Sequence, residues 1–339
     1  MSLLPSVLQY MFMMKFGVKI LLFLCLGLAG SLVAFDPLPE KPGLDYFQRL
    51  YHIQHMNYLI YKDLEKLREE YPGTIVAESI KYRVRWMILK DYFADEQILC
   101  IRGTNNLLNA WIDSQYFLKE EPEIGIKLHR GFNKAVKEIL PTIKELLDPN
   151  RKVILSGHSL GGSMAIILAM YLEKEGFDIQ WIVTMGQPKI TDAEGAERFK
   201  HLPLLRLVYK LDLVPSLPPP LVTRYHHFGS KLDLFRSGYD YQADPPLKAI
   251  SSKSVEATNR LWKNIRSKAS KALNEDFRKL YDIKEEVEPR FRWFGDSWFF
   301  GLQHKMGVYR QKVREIVRSW KENLPWRKNK KSAYEQTEN

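Results

Sequence analysis

The chain has 339 residues, of which 45% are hydrophobic and 27% are charged. This balance allows a sizeable buried core and excludes disorder as the dominant state of the chain. Two cysteines, with no CxxC pair and no His/Cys cluster at metal-ligand spacing, exclude a disulfide scaffold and a structural zinc site. The 51 Lys and Arg residues outnumber the 40 Asp and Glu residues and give a net charge of +11. Such a charge suits nucleic acid or an anionic membrane, so its position along the chain matters.

The amino terminus has the pattern of a targeting segment. Lys15 and Lys19 precede an apolar run from Ile20 to Ala34 that ends in small residues. A positive start, a short apolar stretch and small residues at its end are typical of a secretory signal peptide. We therefore expect residues 1–34 to be a signal peptide and the protein to be secreted or exported. The alternative is a membrane anchor through residues 16–35, because this stretch is almost long enough to span a bilayer.

Strand and helix patterns alternate along most of the chain. Helical spacing of apolar residues predicts one long first helix from Leu44 to Glu70, which Pro72 ends. The later elements are strand candidates at 82–89, 97–103, 152–157, 181–186 and 204–210, and helical patterns at 132–147, 159–174 and 192–200. This alternation predicts an α/β fold with a mostly parallel central sheet, flanked by helices and with antiparallel strands at its start.

Two segments near the carboxyl end carry the excess of basic residues. Residues 251–279 hold eight basic and three acidic residues, and residues 305–331 hold ten and two. Both have an apolar stripe at helical spacing. Docking on an anionic membrane or lipid-droplet surface is one interpretation, and packing on the core with a solvated basic face is the other. Nucleic acid is not expected as a partner, because no recognised reading motif accompanies these segments.

These patterns also give the domain organisation. One domain is predicted over residues 35–320, with a basic helical insertion at 251–285. A basic polar tail follows at 321–339. No internal repeat interrupts the chain, so a single fold is expected between the amino-terminal segment and the tail.

The strongest motif is GHSLGG, from Gly157 to Gly162, which lies between a predicted strand and a predicted helix. A serine in such a sharp strand-to-helix turn is presented for nucleophilic attack, and the glycines avoid clashes in the strained turn. Ser159 is therefore the predicted nucleophile. The backbone amide of Leu160 lies at the start of the helix, where it can stabilise an oxyanion with the helix dipole behind it.

A serine nucleophile needs a base, and the base needs an orienting carboxylate. In the elbow architecture the chain order is Ser, then Asp or Glu, then His. Asp212 is the favoured acid, because it directly follows a predicted strand, at the sheet edge where sites of open α/β sheets gather. Asp178 and Asp192 also satisfy the order, but both lie at predicted helix boundaries.

The base must be a histidine that follows Asp212. His226, His227 and His304 satisfy this condition. The first two lie in one candidate strand, VTRYHHFG, and His304 lies in a predicted loop before the last helical pattern. Spacing alone does not choose among the three.

The motifs resemble those of the class 3, fungal-type lipases, which have the α/β-hydrolase fold. The matching stretches are, in chain order, IRGTNN, HRGFNKA, GHSLGG, TMGQPKITD, LVYKLDLVPSLPPP, YHHFG and HKMGVY. They fall between about residues 44 and 315, and their order and spacing agree with the family through the stretch YHHFG. The resemblance implies a serine esterase that hydrolyses carboxylic esters of acylglycerol-type lipids through an acyl-enzyme, without a metal or an organic cofactor.

The resemblance also implies roles for individual residues. Asp212 matches the family's acid and His304 its base, with His227 as the fallback. Thr104 matches an oxyanion donor through its backbone amide, and Asn105 to Leu118 matches the lid. The chain departs from the family in one respect: the 92 residues from Asp212 to His304 are a long separation, and they include the basic insertion.

Other functions stay open at this point. A phospholipase or an acyltransferase would use the same triad, and a catalytically silent lipid-binding or effector protein would keep the fold with a misplaced base. The complete set of serine, acid, histidine and oxyanion residues favours the enzyme. A lipid ester is the expected partner, and the pattern leaves the acyl chain, the head group and the oligomeric state open.

Overall fold

The computed structural model describes residues 36–91, 95–103, 117–210, 212, 214–218, 225–235, 238–243 and 306–322. The chain divides into two compact units, Met1–Asp36 and Pro37–Asn339, and the fold is that of the second unit. The predicted signal peptide (1–34), the basic insertion (251–285) and residues 323–339 of the predicted tail lie outside the described residues.

The described helices and strands follow one another much as the patterns predict. The helices are α1 (Leu44–Lys62), α2 (Leu64–Glu70), α3 (Arg130–Leu146), α4 (Leu160–Lys174), α5 (Ala193–Arg198) and α6 (Met306–Lys321), with a 3₁₀ turn at Val214–Ser216. The strands are β1 (Ile75–Glu78), β2 (Arg85–Asp91), β3 (Glu96–Ile101), β4 (Leu118–Glu121), β5 (Ile126–His129), β6 (Lys152–His158), β7 (Ile179–Met185), β8 (Thr191–Asp192), β9 (Leu204–Tyr209), β10 (Tyr225–His226), β11 (Ser230–Phe235) and β12 (Gly238–Gln242).

The central sheet has the strand order β1-β2-β3-β6-β7-β9-β11-β12. Its first three strands are antiparallel, the strands from β3 to β11 are parallel, and β12 returns antiparallel to β11. This topology confirms the predicted mostly parallel sheet with antiparallel strands at its start. A second, smaller sheet has the strand order β10-β8-β5-β4.

Helices cover both faces of the central sheet. On one face α3 and α4 pack over Val153, Leu155 and Ile182, which belong to the hydrophobic core. Every residue of α4 from Leu160 to Leu172 is buried, as expected of a helix that is apolar all round. On the other face α1 packs on β2, β3 and β6. The parallel strands are therefore buried on both sides, which explains their continuous apolar sequences.

The last described helix, α6, packs along α1. Its buried residues include Tyr309, Val313 and Ile316, and the guanidinium of Arg310 lies over the ring of Tyr58, 4.6 Å from its centroid. For this helix the structure therefore supports packing on the core. No helix in the described part of the chain combines the length and the apolar character needed to cross a bilayer. The candidate anchor, residues 16–35, lies outside that part.

Two details differ from the prediction. The single helix expected from Leu44 to Glu70 is wrong, because Asp63 adopts an extended backbone (φ −155°, ψ 94°) and separates α1 from α2. The Asp63 carboxylate accepts a hydrogen bond from the Lys66 amide at 2.8 Å and so begins a new helix there. The hairpin of β11 and β12 was not predicted, because charged residues alternate with its buried leucines, as expected near a sheet edge.

Candidate active site

Ser159 lies in the turn between β6 and α4, where its backbone adopts φ 59° and ψ −131°. L-residues rarely adopt such a positive φ, so this conformation is strained. Backbone hydrogen bonds hold it: the Ser159 amide donates to Met185 O at 2.8 Å, and the amides of Gly162 and Ser163 donate to Ser159 O at 3.0 and 3.3 Å. The turn has the geometry of a nucleophile elbow.

Two glycines allow the close approach that this turn requires. A Cβ atom at Gly157 would lie 2.4 Å from the carbonyl carbon of Gly161. A Cβ atom at Gly161 would lie 2.2 Å from the carbonyl oxygen of Ile101, at the end of β3. Any side chain at either position would therefore displace backbone around the serine.

The predicted oxyanion donor Leu160 lies at the start of α4, and the end of β3 leads to the second predicted donor, Thr104. Leu160 is the first residue of α4, so its amide has no acceptor within the helix. Gly103, the last described residue before Thr104, donates its amide hydrogen to Tyr61 Oη at 2.7 Å. Tyr61 Oη also lies 3.2 Å from His158 Nδ1, next to Ser159. Tyr61 thus joins the end of β3 to the elbow. Thr104 itself lies outside the described residues.

Asp212 follows β9, and its carboxylate is buried, with 6% of the residue exposed. Its Oδ1 accepts a hydrogen bond from the Val214 amide at 2.9 Å, and its Oδ2 accepts one from the Tyr309 hydroxyl at 2.5 Å. Burial, together with the neighbouring carboxylate, holds the pKa of Tyr309 well above its ordinary value. The hydroxyl therefore stays protonated and remains a donor. The motif HKMGVY contains Tyr309, but its contact with Asp212 was not predicted.

The loop that carries Asp212, here called the acid loop (residues 212–218), is held by hydrogen bonds from Lys189. Lys189 Nζ donates to Ser216 O at 2.6 Å and to Pro218 O at 3.0 Å. The Lys189 amide also donates to Leu217 O at 2.8 Å. These contacts fix the path of the acid loop after Asp212.

His227, the fallback base, also supports this loop. Thr184 Oγ1 donates to Gln187 Oε1 at 2.9 Å, which turns the Gln187 amino group toward His227 Nδ1, 3.0 Å away. His227 Nε2 then donates to Pro215 O at 2.7 Å. Burial, followed by the charge of Arg206, lowers the pKa of His227 well below its ordinary value. Both ring nitrogens of His227 are therefore engaged in hydrogen bonds.

The other candidate residues are distributed as follows. His226 lies in β10 and pairs with Thr191 of the small sheet. His304 lies outside the described residues. Of the predicted lid, Phe117 and Leu118 are described: Phe117 is 71% exposed, and Leu118 begins β4.

Ser159 and Asp212 follow β6 and β9, two parallel strands separated by β7 alone. The structure therefore brings the predicted nucleophile and acid to the same edge of the sheet, at the carboxyl ends of the strands. Within the described ranges, no group of three or more His, Cys, Asp and Glu side chains is arranged to hold a metal ion.

This combination of sheet, elbow and acid defines the α/β-hydrolase fold. Residues 98–222 match the family described as lipase (class 3). The match confirms the resemblance predicted from the motifs, and this stretch of the chain is similar to the class 3 lipases.

Known structures and sequences agree with this assignment. Lipase II from Rhizopus niveus has a TM-score of 0.52 and 22% identity, and the alignment covers 60% of this chain and 88% of that one. The Rhizomucor miehei lipase propeptide complex has a TM-score of 0.53 and 21% identity, with 67% and 84% covered. These similarities show the fold.

Among sequences, the secreted mono- and diacylglycerol lipase 1 of Fusarium solani is 30% identical over 182 residues, which cover 49% of this chain and 51% of that protein. The chain therefore spans about half the length of this curated relative, and about a third of a further one from Rhizopus niveus.

Proposed function

We propose that the protein is a serine esterase that hydrolyses carboxylic ester bonds of acylglycerol-type lipids. The observation that carries this proposal is the strained Ser159 after β6, with Asp212 buried at the same sheet edge and hydrogen-bonded by Tyr309. The relative from Fusarium solani is named a mono- and diacylglycerol lipase, which supports an acylglycerol as the substrate class.

In the proposed mechanism, Ser159 Oγ attacks the acyl carbonyl while His304 accepts its proton. Asp212 holds the imidazole in the correct orientation, and the amides of Leu160 and Thr104 donate to the oxyanion. His304 then gives the proton to the departing alcohol, which leaves an acyl-enzyme. A water molecule attacks this ester with His304 as base, and the fatty acid leaves Ser159.

Two observations support His304 as the base. Tyr309, five residues later, contacts Asp212 Oδ2, so the chain that follows His304 lies against the acid. The competing His227 already uses both ring nitrogens on Gln187 and Pro215. The triad of Ser159, Asp212 and His304 is therefore the combination that we propose.

We also propose that the protein is exported. The lysines and apolar run of residues 1–34 support a signal peptide, and the Fusarium solani relative is named a secreted lipase. Immunoblotting of the culture medium and of washed membranes checks this. Protein that stays in the membranes would instead favour an anchor through residues 16–35.

Hydrolysis of p-nitrophenyl esters of several acyl lengths tests the triad. We expect Ser159→Ala and His304→Ala each to lower kcat by at least about a thousandfold, because members of a triad act as a unit. His226→Ala serves as the matched control and keeps its activity. Activity that persists in Ser159→Ala would refute the mechanism, and activity that persists in His304→Ala alone would refute that choice of base.

A further inference from the structure

Arg206, in the middle of β9, is a buried cation without a compensating anion in contact. Only 6% of this residue is exposed, and its Nε is buried without a hydrogen-bond partner. Throughout the described ranges, no carboxylate lies within ion-pair distance of its guanidinium. An unpaired charge in the interior is costly, so a buried arginine is normally matched by acceptors.

Two further cations lie beside Arg206. In the sheet, Arg206 is in register with Thr184 of β7 and with Lys231 of β11, so these three side chains share one face. Lys189 is 8% exposed and donates to two carbonyls of the acid loop. Lys189 lies two residues after Gln187, whose side chain is hydrogen-bonded to Thr184, the residue in register with Arg206. Burial and then the charge of Arg206 lower the pKa of Lys189 to about 8. We call Lys189, Arg206 and Lys231 the cationic cluster.

One described carboxylate, Asp233, faces the cationic cluster. It pairs with Lys231, with Nζ 2.6 Å from Oδ2, and it is the carboxylate whose charge acts on Arg206. His227, also beside the cluster, is neutral because of its lowered pKa. In the described part of the chain, three cations therefore face a single anion in a mostly buried position.

We propose that the cationic cluster binds a small inorganic anion, such as phosphate, sulfate or chloride. The planar guanidinium of Arg206 has several N–H donors and suits an oxyanion. Because Arg206 and Lys189 are more than nine-tenths buried, the site suits a small ion better than a lipid head group. Lys231, whose side chain is 28% exposed, lies where an ion can exchange with solvent.

Anion binding would also act on the acid loop. Lys189 joins the cationic cluster to the carbonyls of Ser216 and Pro218. An anion that compensates the charge of Lys189 would stabilise its hydrogen bonds to the acid loop. This site is separate from the proposed esterase activity, and its test measures thermal stability instead of hydrolysis.

The first test is thermal unfolding of the full chain during a phosphate titration, with ionic strength kept constant by a bulky organic sulfonate. We expect a saturable rise in Tm of about 5 °C. Arg206→Gln should lose this rise, and Arg198→Gln, at an exposed arginine, should keep it. A chloride titration gives a second, independent probe. A Tm that does not respond, or rises equally in wild type and Arg206→Gln, overturns the proposal.

A second variant decides the matter where Arg206→Gln fails to fold. Lys231→Glu places a carboxylate in register with Arg206 and supplies the missing counter-charge within the chain. We expect it to raise Tm in anion-free buffer and to abolish the phosphate response. Lys231→Gln, the matched control, removes the cation without supplying a carboxylate and should be less stable than Lys231→Glu. An unchanged phosphate response in Lys231→Glu overturns the proposal.

Discussion

At the scale of single residues, Tyr309 links the acid to a distant part of the chain. Its hydroxyl donates to Asp212 Oδ2 at 2.5 Å and accepts from the Tyr209 amide at 3.2 Å. The tyrosine thus fixes the carboxylate against the end of β9. Tyr309 touches the acid and not the ester, so we regard it as a positioning residue.

Tyr309→Phe removes one of the two described donors to the Asp212 side chain. Because a charge-assisted hydrogen bond contributes about 1.5 kcal/mol, we expect kcat for ester hydrolysis to fall about tenfold with little change in KM. Steady-state kinetics checks this split. Tyr58→Phe, at the same interface between α1 and α6, should leave kcat unchanged. A purely structural part for Tyr309 would instead lower Tm and leave kcat of the folded fraction intact.

Tyr61 is a second positioning residue, because it accepts the amide of Gly103, next to the proposed oxyanion donor Thr104. Tyr61→Phe leaves the Gly103 amide without its described acceptor, and a buried unpaired donor costs about 1–3 kcal/mol. We expect a lower urea midpoint and weaker inhibition by a phosphonate ester, which mimics the tetrahedral intermediate. Tyr51→Phe, elsewhere on α1, controls for loss of a hydroxyl. Unaltered phosphonate affinity would show that Tyr61 does not position the oxyanion donors.

At the scale of elements, the start of α3 contains an acid-sensitive cap. His129 is buried, its ring stacks on Phe132 with centroids 3.8 Å apart, and its Nδ1 accepts the Phe132 amide at 3.3 Å. Burial lowers the pKa of His129 from 6.5 to about 4. Protonation at Nδ1 would also remove the acceptor, so α3 requires the neutral imidazole.

The lowered pKa predicts loss of stability in acid. As pH falls from 6.5 to about 4, the unfolded chain binds a proton at His129 that the folded chain does not bind. The free energy of unfolding should therefore decrease over this range, by up to about 3 kcal/mol. Urea unfolding at several pH values checks the slope. His129→Asn keeps a capping oxygen, and its free energy of unfolding should depend less on pH. A pH dependence equal to that of the wild type would show that His129 is not its source.

The elements around the elbow were predictable from sequence, because buried parallel strands such as β6 and β7 are continuous apolar runs. Ser159 and Asp212 were predictable for the same reason, since each directly follows such a strand. The contacts of Tyr309, Lys189 and His227 were not, because they join residues far apart in sequence. The helical spacing of apolar residues continues through Asp63, so it did not predict the break between α1 and α2. That break depends on the Asp63 carboxylate, which caps the start of α2.

At the scale of the whole molecule, the proposed nucleophile is buried. Ser159 is 1% exposed, so we expect a rearrangement around it to precede the access of an ester to its hydroxyl. Phe117, at the described end of the predicted lid, presents a large apolar side chain to solvent. An exposed apolar side chain gains free energy when it enters a lipid surface. These two features predict activation at an interface.

We therefore expect the rate on a short-chain ester to rise steeply once the substrate forms micelles. Phe117→Ser should reduce this rise and leave hydrolysis of dissolved monomers unchanged. Ile80→Ser, at a residue that is 92% exposed, is the matched control and should behave as wild type. Rates measured across the critical micelle concentration distinguish these outcomes. A rate that saturates smoothly with substrate concentration through that point would argue against activation at a lipid interface.

The contact between Tyr309 and Asp212 also orders events in time. The tyrosine lies 97 residues after the carboxylate that it holds. During translation the ribosome completes the serine turn and the acid long before it releases α6, which must then dock along α1. Until that moment the acid lacks its tyrosine donor. For the proposed esterase, we therefore expect the full hydrolytic rate only after α6, the last described helix, has docked.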